Sequence, residues 1–239
     1  MMKNNLIVFL FSLLATAILA QDTIVKQHFK YQHLIIPTAL ITAGIILKSP
    51  SIQTDLQNNV RNAFGQDFRT RTDDYLQFLP TAQMLAGNYI GFDSEHNLKQ
   101  MLSNAAISLV LVGGTAYIIK NATKDLRPDG SAFNSFPSGH TATAFSGATL
   151  QFLEYRKSNI WYAASGYLFA TATGILRVAN NRHWSGDVVT GAGLGMAIGT
   201  IVYYFNPIQL NKKTSKKTTF LPYPSLQDKT YGIGILCQF

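Results

Sequence analysis

The chain has 239 residues, 47% of them hydrophobic and only 13% charged, with a formal net charge of +8. That length suits one sizeable core rather than two, and so little charge excludes a disordered or heavily solvated chain, pointing instead to a helical protein embedded in or associated with a membrane. The basic balance suits anionic substrates or lipid surfaces, no recognition helix or aromatic-basic pattern points to nucleic acid, and the single cysteine, Cys237, excludes an internal disulfide.

In chain order, Lys3, the apolar run from Leu6 to Leu19 and the small Ala20 read as a secretory signal peptide over residues 1–20, or as an anchor that stays uncleaved. Behind it, six apolar segments predict helices: Leu34 to Leu47 (interrupted by Pro37), Tyr75 to Ile90, Met101 to Ile119, Thr141 to Leu153, Ile160 to Leu176 and Val188 to Phe205. Lys48 to Asp74 is a polar connection of mixed charge. Connections among the last four segments are short, as between antiparallel neighbours, so residues 21–210 are expected to form one all-α, six-helix bundle. Most of these runs fall short of the ~20 apolar residues that span a bilayer comfortably, which leaves an embedded bundle and a soluble helical bundle both open. Gly191, Gly195 and Gly199 give the last helix a small-residue face for close packing. Residues 211–239 make a basic tail that starts with KKTSKK, contains Pro222 and Pro224, and ends in a strand-like stretch expected to pack along the bundle.

Three polar clusters interrupt the apolar segments: KNATKDLRP from Lys120 to Pro128, PSGH from Pro137 to His140, and RVANNRHWSGD from Arg177 to Asp187. Each falls where a predicted helix starts or stops, so all can meet at one end of the bundle. Lys120, Arg127 and Arg177 are fixed positive charges that would repel one another unless an anion joined them, and guanidinium forks match phosphate oxygens. Pro137 and Ser138 read as a helix start, which would leave the N–H groups of Ser138, Gly139 and His140 free to point at a bound oxygen, with Gly139 allowing close approach. His183 and Asp187 are spaced to share one helix face, so the carboxylate can hold one imidazole nitrogen and leave the other as nucleophile or base. His140 is then a second histidine available as a proton donor. Arginines beside the histidines and Asp187 disfavour a divalent ion, so no metal and no cofactor are expected.

The order K-x6-R-P, P-S-G-H, R-x5-H-x3-D resembles the three-part signature of the type 2 phosphatidic acid phosphatase (PAP2) superfamily, which also includes bacterial acid phosphatases and vanadium haloperoxidases. The resemblance implies a helical phosphatase working through phosphohistidine. In it His183 attacks phosphorus, Asp187 orients His183, and His140 protonates the leaving oxygen. Lys120, Arg127 and Arg177 hold the phosphate, assisted by Ser138 and the Gly139 amide. It implies as substrate a phosphomonoester or diphosphate, chiefly on a lipid such as phosphatidate, phosphatidylglycerophosphate, undecaprenyl diphosphate or lipid A. A soluble periplasmic acid phosphatase and a vanadate-dependent haloperoxidase are the alternatives. Two departures from the family pattern stand out: Leu176 replaces the serine that usually precedes the third-motif arginine, and the stretch from Pro128 to Pro137 is too short for an inserted lid.

Arg156, Lys157 and the KKTSKK run lie at the end opposite the clusters, so the positive-inside rule places the catalytic end outward, at the periplasmic face of a bacterial inner membrane or in the periplasm. Six full crossings after a cleaved leader would instead bring Lys120 to the cytoplasm. A retained leader acting as an extra span, a Pro37 segment that does not cross, or a wholly periplasmic bundle are the routes to the outward site.

Overall fold

The computed structural model describes residues 29–210, 219–227 and 230–238. The leader and the KKTSKK run lie outside the described residues. A 3-10 turn at Tyr31–Leu34 leads into α1 (Ile35–Ile46), followed by α2 (Pro50–Phe64), α3 (Thr72–Leu76) and α4 (Leu79–Ala86). A second 3-10 turn at Gly87–Ile90 precedes four long helices: α5 (Leu98–Thr123), α6 (Gly139–Tyr155), α7 (Ile160–Ala179) and α8 (Ser185–Phe205).

Side-chain caps set where the long helices begin. Asn97 accepts from the Gln100 N–H at 2.8 Å, Asn159 from the Tyr162 N–H at 2.9 Å, and Asp187 from the Trp184 N–H at 3.0 Å, each satisfying a donor that a helix start leaves open. Lys124 ends α5 in the left-handed conformation at φ 51°.

The α6–α8 contact is the most extensive in the bundle, and α1 packs on another side of α8. Its small residues face two helices at once: a Cβ built at Gly191 would lie 2.6 Å from the Ser138 carbonyl and one at Gly199 2.8 Å from the Ser146 carbonyl, both on α6 or its cap, with Gly195 equally tight against Ala142. On its other side a Cβ built at Gly193 would lie 2.6 Å from the Pro37 carbonyl of α1. The expected small-residue face is therefore a seam between α8 and its neighbours. At the end away from the polar clusters Met84, Met101, Leu150, Leu153, Tyr155 and Tyr203 close the core, and the buried Glu154 accepts from the His96 N–H at 3.0 Å and pairs with its ring at 2.8 Å. His96 is thereby tied into this core, and His33 stacks on Tyr204 with ring centroids 5.0 Å apart.

The bundle is all-helical, as expected, with three differences in detail. The stretch from Lys48 to Asp74 is not a plain connection but forms α2, bent 97° away from α1, and the start of α3. α2 starts on Pro50 and buries Gln57 and Arg61 rather than apolar side chains, so apolar periodicity cannot reveal it. The segment from Tyr75 to Ile90 breaks after Leu76, because Pro80 serves the start of a separate helix, α4. The tail forms an antiparallel hairpin, β1 (Thr219–Gln227) with β2 (Thr230–Gln238), in which Leu221 faces Leu236 and Gln227 faces Thr230.

Candidate active site

Lys120 at the end of α5, His140 at the start of α6, Arg177 near the end of α7 and Asp187 at the start of α8 occupy the same end of the bundle, as the sequence predicts. A chain of contacts ties them together. The Ser138 N–H donates to the Asp187 carbonyl at 3.0 Å, and the Ser135 hydroxyl donates to the Asp187 carboxylate. Lys120 donates to the Ser135 carbonyl at 3.2 Å and to that of Asn134. Arg127 reaches the same loop, its Nε donating to Asn134 Oδ1 at 2.8 Å.

His183 is only 2% exposed, and its Nδ1 lies 3.6 Å from Asp187 Oδ2. Burial pushes its pKa down to about 4; Asp187 opposes that shift, while Arg177 and Lys120 reinforce it. The ring is therefore a neutral base at neutral pH. Burial and the neighbouring Arg177 also lower the pKa of His140, against the raising influence of Asp74 and Asp73.

Above these residues opens a cleft of about 620 Å³ whose wall includes Arg69, Arg71, Asp73, Asp74, Arg127, His140, Arg177, Asn180 and Arg182. Arg127 is held below its ordinary pKa by partial burial and by repulsion from Arg177 and Arg182, the mark of positive charge gathered without enough counter-charge. Arg182 pairs with Asp129 at 3.1 Å.

The structure revises the expectation for Ser138. Its hydroxyl caps α6, accepting from the Thr141 N–H at 3.4 Å and lying 2.9 Å from Thr141 Oγ1, and its N–H donates to the Asp187 carbonyl, so that N–H is not open to a ligand. Among the described residues the N–H groups of Gly139 and His140 donate to no acceptor, so the helix start keeps two open donors in place of the expected three.

Residues absent from the sequence reading complete the site. Asp73, 1% exposed, accepts from Arg177 at 2.6 Å and from Asn180 at 3.0 Å, leaving Arg177 Nε buried with no partner among the described residues. Asp74 Oδ1 lies 3.0 Å from His140 Nε2. Lys48, from the α1–α2 junction, pairs with Asp125, lies 3.8 Å from Asp187 Oδ1 and sits 4.4 Å from the Phe136 ring. The wall that the short stretch from Pro128 to Pro137 cannot provide is thus supplied by the segment before α4. Only the adjacent Asp73 and Asp74 in a polar stretch hinted at this, and a solvated loop would look the same. Trp184, just before α8, donates its indole N–H to the Leu126 carbonyl at 2.9 Å.

Ligand atoms of Asp73, Asp74 and His140 lie within 4.8 Å of one another, close enough to hold a metal ion. Their surroundings do not fit one: Asp73 is already engaged by Arg177 and Asn180, Asp74 by His140, and arginines line the same cleft.

Residues 101–210 match the model of the PAP2 superfamily. A lipid A 1-phosphatase from Porphyromonas gingivalis is 40% identical over 157 residues, covering 63% of this chain and 35% of that protein, so the chain spans about a third of its relative's length. Two solved structures are similar at a TM-score of 0.45. One is LpxE from Aquifex aeolicus, at 20% identity, covering 61% of this chain and 93% of that one. The other is a transmembrane PAP2-type phosphatidylglycerolphosphate phosphatase from Bacillus subtilis, at 18% identity, covering 74% and 96%.

Proposed function

Residues 101–210 belong to the PAP2 superfamily, and on that premise we propose that the chain is a phosphatase that removes a phosphate group from a phosphorylated membrane lipid through a phosphohistidine intermediate. The observation that carries this is the buried His183, its Nδ1 3.6 Å from Asp187 Oδ2, at the end of the bundle where Arg127, Arg177 and His140 line one cleft.

In the first step the His183 Nε2 lone pair attacks phosphorus in line; the P–N bond forms as the P–O bond to the lipid breaks. His140 gives its proton to the departing oxygen. Arg127, Arg177 and Lys120, with the open N–H groups of Gly139 and His140, hold the other phosphate oxygens and offset the charge that builds on them. In the second step His140 takes a proton from water, the water oxygen attacks phosphorus, and the P–N bond breaks to free phosphate and regenerate His183. Asp74, on His140 Nε2 when the cleft is empty, must yield that nitrogen to the leaving oxygen. No step calls for a metal.

A lipid substrate is supported by two helices long and apolar enough to cross a membrane, α5 and α8, and by the relative named as a lipid A 1-phosphatase. Phosphatidate, phosphatidylglycerophosphate, undecaprenyl diphosphate and lipid A present the same reacting group. Phosphate release from that lipid panel in EDTA tests the proposal. Wild type should turn over at least one lipid at an undiminished rate in chelator, and His183→Ala should lose about 10³-fold or more in kcat. A His183→Ala variant with near-wild-type turnover would overturn the mechanism, and activity restored only by added metal would overturn its metal independence.

A further inference from the structure

The cleft above His140 holds more positive charge than the reaction uses. Arg127 and Arg177 serve the reacting phosphate, whereas Arg69, Arg71 and Arg182 line the same cleft and have no part in it. We infer that these three arginines form a second anion subsite, which takes a further phosphate-type group carried by the same substrate molecule. The inference rests on the phosphatase reading for which group is cleaved.

The size of the cleft comes first. At about 620 Å³ it falls in the range of ~300–1,000 Å³ that encloses a whole small ligand, far more than one tetrahedral anion needs. Rigidity comes next. The Thr70 N–H donates to Asn180 Oδ1 at 2.9 Å and Asn180 Nδ2 donates back to the Thr70 carbonyl at 3.0 Å. Buried Arg61 donates to the Ala179 carbonyl at 2.9 Å and to that of Phe68 at 3.5 Å. The backbone carrying Arg69 and Arg71 is therefore locked to the helix end that carries Arg177, so the separation of the two anion centres is built into the fold. A merely solvated loop would not need such ties.

Charge completes the case. The cleft's carboxylates are already committed, Asp73 to Arg177 and Asn180, Asp74 to His140. Among the described residues neither Arg69 nor Arg71 pairs with a carboxylate, and Arg69 donates only to the neighbouring Phe68 carbonyl at 2.7 Å. Guanidinium groups crowded on one cleft repel one another, and a second anion seated between them relieves that repulsion while accepting bidentate hydrogen bonds.

The test measures binding to the full chain in neutral detergent, with His183→Ala as background so that no ligand is consumed. Calorimetry compares linear alkane-α,ω-diol bisphosphates of increasing length with the monophosphates of the same diols. At the matching length the bisphosphate should bind about tenfold or more tighter. Arg69→Gln with Arg71→Gln should bring the two ligands to parity, and Arg69→Lys with Arg71→Lys should recover part of the difference. Equal affinities at every length, or a preference that survives the double Gln variant, would overturn the subsite. A parallel arm measures the Arg69 and Arg71 dependence of binding to phosphatidylcholine vesicles with and without phosphatidylglycerol. Dependence there without any bisphosphate preference would assign the arginines to membrane headgroups and overturn the substrate subsite. Turnover of the monophosphates by the wild-type chain reports separately on the phosphatase reading.

Discussion

In the proposed first step His183 and His140 would have opposite protonation states, and their surroundings set the pH range in which both would hold. His183 must be neutral to attack; burial places its pKa at about 4, so activity should fall as pH drops through that value. His140 must carry a proton, and because its pKa lies below the ordinary 6.5, that proton is lost before neutrality in the free enzyme. The kcat/KM profile for a water-soluble phosphomonoester, corrected for the ester's own ionisation, should therefore be a bell with its maximum on the acid side of neutrality. Asp74→Asn removes a carboxylate that favours the protonated ring, so the alkaline limb should move to lower pH while the acid limb stays. An alkaline limb that stays put or moves upward would show that Asp74 does not act through His140. The histidines and three of the cations were legible in the sequence because each sits at a fixed spacing beside a helix end. Lys48, Arg69, Arg71, Asp73 and Asp74 were not, because only tertiary packing delivers them: α2 must fold back on the end of α7 through Gln57 and Arg61 before the segment after it can reach Arg177.

The helices of the bundle could be read from the sequence where burial is apolar, and only there. α5 to α8 appear as apolar runs with polar ends, and the glycine spacing of α8 announced a close packing face. α2 hides its order in buried polar contacts, and Pro80 turned one expected helix into two short ones. The α8 seam also fixes the site, because the residue facing Gly191 is Ser138, whose N–H holds the Asp187 carbonyl. Gly195→Val should therefore force α6 and α8 apart and cost about 2–3 kcal/mol, as overpacking in a filled core does. Gly114 lies on the same bundle with nothing near its would-be Cβ, so Gly114→Ala should leave stability unchanged or raise it by up to about 1 kcal/mol through helix propensity. Thermal unfolding of both variants in one detergent checks the contrast. Equal melting temperatures would show that the seam tolerates a side chain and that small residues are not what brings these helices together.

At the scale of the whole molecule, the apolar surface sits where a lipid solvent would be. α5 has 26 residues, about 39 Å at 1.5 Å per residue, enough to cross a hydrocarbon core of about 30 Å. Val110, near its middle, is 73% exposed, and Tyr117 on α5 and Leu168 on α7 are similarly bare. α8, by contrast, is more than half buried along its apolar length and forms the centre that α1 and α6 pack against. In water such exposed apolar side chains would be a liability; against acyl chains they carry no penalty. In the proposed membrane-embedded bundle the two ends would face different compartments, the cleft at one and the Arg156–Lys157 turn at the other, and the positive-inside rule predicts an outward cleft. Cysteine labelling resolves both points, because maleimides react with a thiolate, which forms in water and not in lipid. With Cys237→Ser as background, Val110→Cys should resist an impermeant maleimide in intact membranes despite its exposure in the protein. Phe133→Cys, 67% exposed in the loop beside the catalytic end, should label from outside, and Lys157→Cys only after the membrane is opened. Labelling at Val110 in intact membranes would place α5 in water and remove the embedded bundle. Labelling of Lys157 from outside in place of Phe133 would reverse the orientation, and the substrate would then have to come from the inner leaflet.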